Sequence, residues 1–295
     1  MSALFCFGLG FSARALARRL LNNGWAATGT ARSEDKLEAL RGQGFGAVLF
    51  DGEAPGPEVP AALNAASHVV VSTPPGEAGD PVLRHHGDDL AAASSVGWIG
   101  YLSTVGVYGD HQGQWIDETA PLNPKSERSK RRVAAERAWL DFGARSGKPV
   151  QIFRLAGIYG PGRSAIDNLR QGRARRINKP GQVFNRIHVE DIATVLEASI
   201  ARPNAGAIYN VTDDLPAPPQ DVVAYGAELM GVPAPPEVSF EEADLSPMGR
   251  SFYGENKRVS NARIASELGV RLACPTYREG LKAVLNTLAS RDMKS

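Results

Sequence analysis

With 295 residues, 43% of them hydrophobic and 22% charged, the chain has the makeup of an ordinary globular protein, long enough for one large domain with an appended lobe. A formal net charge of +1 without a long basic block argues against nucleic acid or an anionic membrane as the main partner, while local basic clusters remain able to hold a small anion. No apolar run reaches the length of a membrane span, and the longest, from Ala3 to Phe11, is interrupted by Gly8 and Gly10 and lacks the preceding basic residues of a secretion signal.

That first run therefore reads as a buried strand, Leu4–Phe7. Further candidate strands follow at Ala26–Thr30, Ala47–Phe50, His68–Ser72, Trp98–Leu102, Val150–Arg154 and Ile208–Val211, separated by amphipathic stretches. In the first of these stretches Leu16 and Leu20 share a helical face while Arg14, Arg18 and Arg19 turn outward, as expected of a helix lying on a sheet. The alternation predicts an α/β fold, a doubly wound parallel sheet of the Rossmann type. After Tyr159 the rhythm breaks at Gly160-Pro161-Gly162, and Arg163 to Asn185 is basic and poor in apolar runs. Order returns at Asn185–Ala193, and from Leu215 onward proline is frequent. The expected division is a dinucleotide-binding domain over 1–159 and 186–212, and a smaller substrate lobe over 160–185 and 213–295, with a crevice beyond the carboxyl ends of the strands.

Gly8-Leu9-Gly10-Phe11-Ser12-Ala13 matches the glycine fingerprint of dinucleotide sites, between a predicted strand and a predicted helix. Gly8 permits the tight turn, Gly10 admits a pyrophosphate to the backbone, and Ala13 lets helix and sheet pack closely. The helix start, with Phe11 and Ser12, then offers unpaired N–H groups to the phosphates. Sites for NAD usually carry an Asp or Glu about twenty residues beyond the glycines, at the end of the second strand. Here the chain reads Thr30-Ala31-Arg32-Ser33. A guanidinium at Arg32 suits a ribose phosphate and Ser33 suits an added hydrogen bond, so NADP(H) is expected, with NAD the alternative. The bland reading is that Arg32 is solvated and Ser33 caps the next helix.

From Trp98 onward the chain resembles the extended branch of the short-chain dehydrogenase/reductase superfamily, the NAD-dependent epimerase/dehydratase group. The similarity is carried by Leu102-Ser103-Thr104-Val105-Gly106-Val107-Tyr108-Gly109, Arg154-Leu155 through Tyr159-Gly160-Pro161-Gly162, Ile187-His188-Val189-Glu190-Asp191-Ile192-Ala193, and Tyr209-Asn210-Val211. The resemblance implies that Thr104 offers its hydroxyl to substrate and that Lys130 holds the nicotinamide ribose. It further implies that Asp51 lies near the adenine and that Ser72-Thr73-Pro74 forms the loop passing the cofactor. It also implies a catalytic Tyr four positions before the Lys, because an alkoxide formed by hydride addition needs a proton from a phenol whose pKa a nearby cation lowers. That position is Ser126, and no tyrosine lies between Tyr108 and Tyr159. The chain thus resembles an atypical member with an incomplete proton-transfer pair.

Tyr108, Tyr159 and Tyr253 are the candidate displaced donors; Tyr253 falls in Pro247–Glu255, a segment able to act as a lid. His188 matches a structural segment of the family, and His85 and His86 are expected in an exposed loop or helix start. Arg163, Arg173, Arg175, Arg176, Lys179 and Arg186 form either an entrance for a phosphorylated substrate or a solvated face. Cys6 and Cys274 make no CxxC pair and no ligand spacing, which suits a reducing cytoplasm, and no metal is expected. Two functions follow. One is an NADP(H)-dependent oxidoreductase or epimerase-like enzyme, a possible homodimer, acting on a small polar or nucleotide-linked substrate. The other is a non-catalytic NADP(H)-binding redox sensor.

Overall fold

A computed structural model describes residues 2–292. β1 (Ala3–Phe7) leads to α1 (Phe11–Asn22), and β2 (Ala26–Ala31), α2 (Glu34–Arg41), β3 (Gly46–Leu49), α3 (Val59–Ala65), β4 (His68–Val71), α4 (Pro81–Ala92) and β5 (Trp98–Thr104) continue the alternation. A 3-10 turn at Val105–Tyr108 and the short β6 (Trp115–Ile116) precede α5 (Glu127–Ser146), β7 (Val150–Leu155), β8 (Gly157–Tyr159), α6 (Ala165–Arg170) and β9 (Arg176–Asn178). Next come β10 (Arg186–His188), α7 (Val189–Ala201), β11 (Ile208–Val211), α8 (Pro219–Met230) and β12 (Glu237–Ser239). The last elements are α9 (Pro247–Phe252), β13 (Arg258–Val259), α10 (Ala262–Leu268) and α11 (Tyr277–Asp292). Among the described residues no helix is long and apolar enough to cross a membrane.

Every strand expected from the apolar runs enters one seven-stranded sheet, in the order β11-β7-β5-β4-β1-β2-β3. β1 pairs in parallel with β2 on one side and with β4 on the other. The chain therefore builds outward from β1 to β3 and restarts at β4, which makes the β1/β4 boundary the switch point where doubly wound sheets bind ligands. β4, β5 and β7 are buried almost throughout, the pattern of strands covered on both faces. Phe5, Phe7, Phe50, Val69, Val71, Ile99, Trp139 and Ile152 form the core, with Phe5 and Phe7 edge to face at 4.9 Å.

The chain divides into two compact units. The first holds residues up to Val107, Pro124–Arg154 and Ile192–Tyr209; the second holds Tyr108–Asn123, Leu155–Asp191 and the chain from Asn210 on. In the first unit α5 is held to β5 by polar as well as apolar contacts. Arg132 donates to the Leu102 carbonyl at 2.9 Å, and the buried Glu136 carboxylate takes hydrogen bonds from Ser103 and from the Arg154 guanidinium of β7. Ser126 caps the helix start by accepting from the Ser129 N–H at 3.1 Å. Gly147 ends the helix in the left-handed region, φ +71°.

The second unit has its own core of Tyr159, Ile166, Val222, Tyr277, Leu281 and Val284. It also contains three parallel two-stranded pairs, β8 with β10, β9 with β12 and β6 with β13. These strands are too short to carry a period-2 signal, so nothing in the sequence marks them. His86 corrects a sequence expectation: it is buried, not exposed. Its Nε2 accepts from the Gly56 N–H at 3.0 Å and its Nδ1 meets Asp89 at 2.9 Å. Its place on the inner face of α4, against Phe7 and Phe50, outweighs the polarity of the residue type.

Candidate functional site

A cleft of about 780 Å³ opens at the switch point, within the size range of small-molecule sites. Its floor is the turn after β1. Gly8 has φ +83°, and a Cβ there would lie 3.0 Å from Ser72 Oγ and 3.3 Å from Thr73 Cγ2. The turn is tied on both sides: the Gly8 N–H donates to Thr30 Oγ1 at 2.8 Å, and Ser72 Oγ donates to the Gly8 carbonyl at 2.6 Å. Gly10, by contrast, faces open space, with no atom within 4 Å of its missing Cβ. It is also the N-cap residue of α1, which has no side-chain cap bond and no acidic residue in its first turn. No side-chain cap or acid in the first turn of α1 therefore competes with an anion there.

Of the sequence-derived candidates, Gly8, Gly10, Thr30, Arg32, Asp51, Ser72, Thr73 and Pro74 line this cleft. Thr30 and Ser72 act on the turn itself. The Thr73 hydroxyl is buried without a hydrogen-bond partner among the described residues. Asp51 accepts from the Glu53 N–H at 2.9 Å, and that bond holds its carboxyl below the usual range. Phe11, Ser12 and Ala13 form the first turn of α1, with Ala13 fully buried. Ser33 occupies the N-cap position of α2 without a cap bond from its side chain and does not line the cleft.

Two cations missed in the sequence join Arg32 on the rim: Arg14, directly after the glycine fingerprint, and Lys36, four positions after Arg32 on α2. None of the three side chains makes an ion pair or hydrogen bond to another described residue. A fourth cation, Arg84, also lines the cleft and donates to the Gly52 carbonyl at 2.8 Å. Lys36 lies in the first turn of α2, directly after the Arg32-Ser33 link from β2, and that nearness in sequence was its signal.

A second constellation gathers at the end of β5. Thr104 Oγ1 accepts from the Gly106 N–H at 3.1 Å, which leaves its own proton free to donate. A Cβ on Gly106 would sit 3.3 Å from Ser129 Oγ and 3.4 Å from Thr104 Oγ1, so the start of α5 runs close beside Thr104. Ser126 Oγ donates to Ser129 Oγ at 2.9 Å while it caps the helix. Sequence reasoning had no reason to single out Ser129. Lys130 is on the exposed face of α5, its ammonium 2.7 Å from the Glu127 carboxylate.

The displaced-donor tyrosines are engaged elsewhere. Tyr108 donates to Asn210 Oδ1 at 2.7 Å, and the Tyr159 hydroxyl meets the Thr276 carbonyl at 3.5 Å. The Tyr253 ring packs against Phe184 and Phe240. Four of the six basic lobe residues are tied within the second unit as well: Arg176 to Glu237 at 3.0 Å, Arg175 to the Asp244 carbonyl, Lys179 to the Tyr253 carbonyl and Arg186 to the Phe184 and Ala217 carbonyls.

Asp213 is 1% exposed, and desolvation pushes its carboxyl up to about 8 despite the nearby Arg186. A carboxyl protonated when folded and ionised when unfolded makes the folded state take up a proton. Stability is then lost as pH rises from about 4, the ordinary aspartate value, to about 8, with a slope of up to about 1.4 kcal/mol per pH unit. Asp213→Asn is expected to flatten that slope in urea titrations across this window; an unchanged slope would assign it to other groups.

Comparison with known proteins adds relationship to geometry. Residues 89–212 match the NAD dependent epimerase/dehydratase family. Protein YeeZ of Escherichia coli K12 is 31% identical over 288 residues, which cover 93% of this chain and 97% of that protein. The structure of a functionally unknown conserved protein from Silicibacter pomeroyi superposes with a TM-score of 0.89 at 53% identity, covering 97% of this chain and 99% of the other. UDP-glucuronic acid 4-epimerase from Bacillus cereus, solved in complex with NAD, shares the fold with a TM-score of 0.75 at 15% identity, over 98% and 99% of the two chains.

Proposed function

Because this chain belongs to the NAD-dependent epimerase/dehydratase family, and because its cleft is a preformed dinucleotide cradle edged by unpaired cations, we propose that it is an NADP(H)-binding enzyme. Its reaction is an oxidoreductase or epimerase-like one on a small polar or nucleotide-linked molecule. The observation that carries the coenzyme choice is the trio Arg14, Arg32 and Lys36 around the place where an NAD site carries an acid. Three cations without counter-charges among the described residues favour an added phosphate, and Arg32 can grip it through two donors.

The residues present fit the coenzyme. Gly10 leaves room for a pyrophosphate, the first turn of α1 supplies N–H donors, and the unpartnered Thr73 hydroxyl gains a bond. The bound nicotinamide would supply hydride transfer. Thr104 keeps a proton to donate to a substrate oxygen. Lys130 would hold the ribose on leaving Glu127, an exposed pair that water already screens. The nucleotide-linked class is supported by a fold neighbour solved with UDP-glucuronic acid and NAD. The first unit is the dinucleotide domain in this reading, and the second carries the substrate lobe.

One observation favours the alternative of a non-catalytic NADP(H) sensor: Ser126, at the position of the family's phenol, spends its hydroxyl on capping α5. Titration with each coenzyme, followed by NADPH consumption against a panel of carbonyl compounds and nucleotide sugars, separates the readings. Tighter binding of NADPH than NADH is expected, together with turnover that Thr104→Ala abolishes. Equal affinity for the two coenzymes overturns the NADP(H) assignment. Tight NADPH binding with no turnover across the panel favours the sensor.

A further inference from the structure

In the second unit, donor atoms of His188, Asp191 and Cys274 all lie within 4.8 Å of one another. The three residues are 4%, 0% and 5% exposed. Local structure explains how they meet. His188 ends β10 and Asp191 lies in the first turn of α7, so two donors come from one stretch of chain. Asp191 then accepts from the N–H groups of Ala273 at 2.8 Å and Cys274 at 3.0 Å, which draws the segment before α11 onto the same spot.

A second observation sets this cluster apart from ordinary packing. His188 Nε2 is fully buried with no hydrogen-bond partner among the described residues, and Nδ1 makes only a long contact, 3.3 Å, with the Glu190 N–H. A buried imidazole nitrogen left unsatisfied costs free energy that a ligand would recover. The ring is held edge-on to Tyr159 at 5.3 Å, so it is not free to swing out to water. The charge around it is negative: the carboxylates of Asp191, Glu279 and Glu190 all act on the Cys274 thiol.

We propose that His188, Asp191 and Cys274 form a binding site for a divalent cation of zinc's character. An imidazole nitrogen, a carboxylate oxygen and a sulfur are the donors zinc accepts, and three protein ligands leave a fourth position for water. On binding, the Cys274 S–H proton leaves to solvent as the sulfur–metal bond forms, and the dication is balanced by one thiolate and one carboxylate. The His188 ring proton moves from Nε2 to Nδ1, so that Nε2 offers its lone pair and the long contact with the Glu190 N–H is given up. Ligands about 2.0–2.3 Å from a tetrahedral zinc lie about 3.3–3.8 Å apart, so donors now up to 4.8 Å apart draw in by as much as about 1 Å on binding. The ion would staple the start of α7 to the segment before α11. Because Cys274 is remote in sequence from His188 and Asp191, no ligand-spacing motif announces the site, and the sequence expectation of no metal rested on that absence.

The test uses the full chain, stripped of metal with a chelator and titrated with cobalt(II) as the spectroscopic stand-in for zinc. One equivalent is expected to produce a thiolate-to-cobalt charge-transfer band in the near ultraviolet. Cys6→Ser keeps the band, Cys274→Ser loses it, and His188→Ala weakens binding on the order of tenfold or more. Absence of the band in the unsubstituted protein, or its survival in Cys274→Ser, overturns the proposal. X-ray absorption of the zinc-loaded unsubstituted protein decides the matter without any variant: one sulfur among nitrogen and oxygen neighbours is expected, and a shell lacking sulfur refutes it.

Discussion

Arg154→Ala is expected to lower folding stability by about 3–5 kcal/mol, because it leaves the Glu136 carboxylate buried without its cation. Both side chains are 3% exposed, and the guanidinium meets the carboxylate at 2.8 Å and 3.2 Å. The Ser103 hydroxyl donates to the same carboxylate. Nothing of comparable strength is left to satisfy it, and water does not reach it. The attraction of the pair is not itself the source of the loss, since taking two ions out of water roughly offsets their mutual gain. Arg154→Met combined with Glu136→Leu is therefore expected to cost much less than Arg154→Ala alone. Urea denaturation of the three proteins checks this, and a single-variant loss below about 1 kcal/mol would mean that the carboxylate finds another partner. The effect reaches the candidate site because Glu136 lies on the helix that carries Ser126, Ser129 and Lys130, and Ser103 directly precedes Thr104.

Arg32→Asp is expected to reverse coenzyme preference. A charge-assisted bond to phosphate contributes about 1.5–3 kcal/mol, which is roughly 10- to 150-fold in affinity. The new carboxylate adds repulsion, so NADPH binding should weaken on the order of a hundredfold or more. NADH, which presents a hydroxyl there, should be held as well or better, because a carboxylate is the usual partner of that hydroxyl. Raising the salt concentration should weaken NADPH binding to the unsubstituted protein more than NADH binding, since Arg14, Arg32 and Lys36 are exposed and their field is screened. Calorimetric titration of both proteins with both coenzymes measures all four affinities. An unchanged ratio between the coenzymes in Arg32→Asp would remove this residue from the adenosine phosphate site.

The positions of the central strands along the chain were legible because each is a run of apolar residues bounded by turns, and a sheet covered on both faces needs nothing more specific. The turn at Gly8 was legible because its geometry excludes a side chain, and few residue types satisfy such a constraint. The short strands of the second unit, the burial of His86 and the meeting of His188 with Cys274 were not. Each arises from a partner remote in sequence, and a two- or three-residue strand has no periodicity to read.

The amino-acid order alone determined the doubly wound sheet, the glycine turn, the cation at Arg32 and the lack of a phenol at Ser126, since all are local patterns or single residue types. Tertiary structure alone decided which hydroxyls are spent on backbone and which remain free. It also brought Arg14 and Lys36 to the cleft that Arg32 lines and tied Glu136 to Ser103 at the end of β5. The reason is that hydrogen bonds and ion pairs depend on distances of a few ångströms between groups far apart in the chain, and those distances exist only once the apolar core has closed.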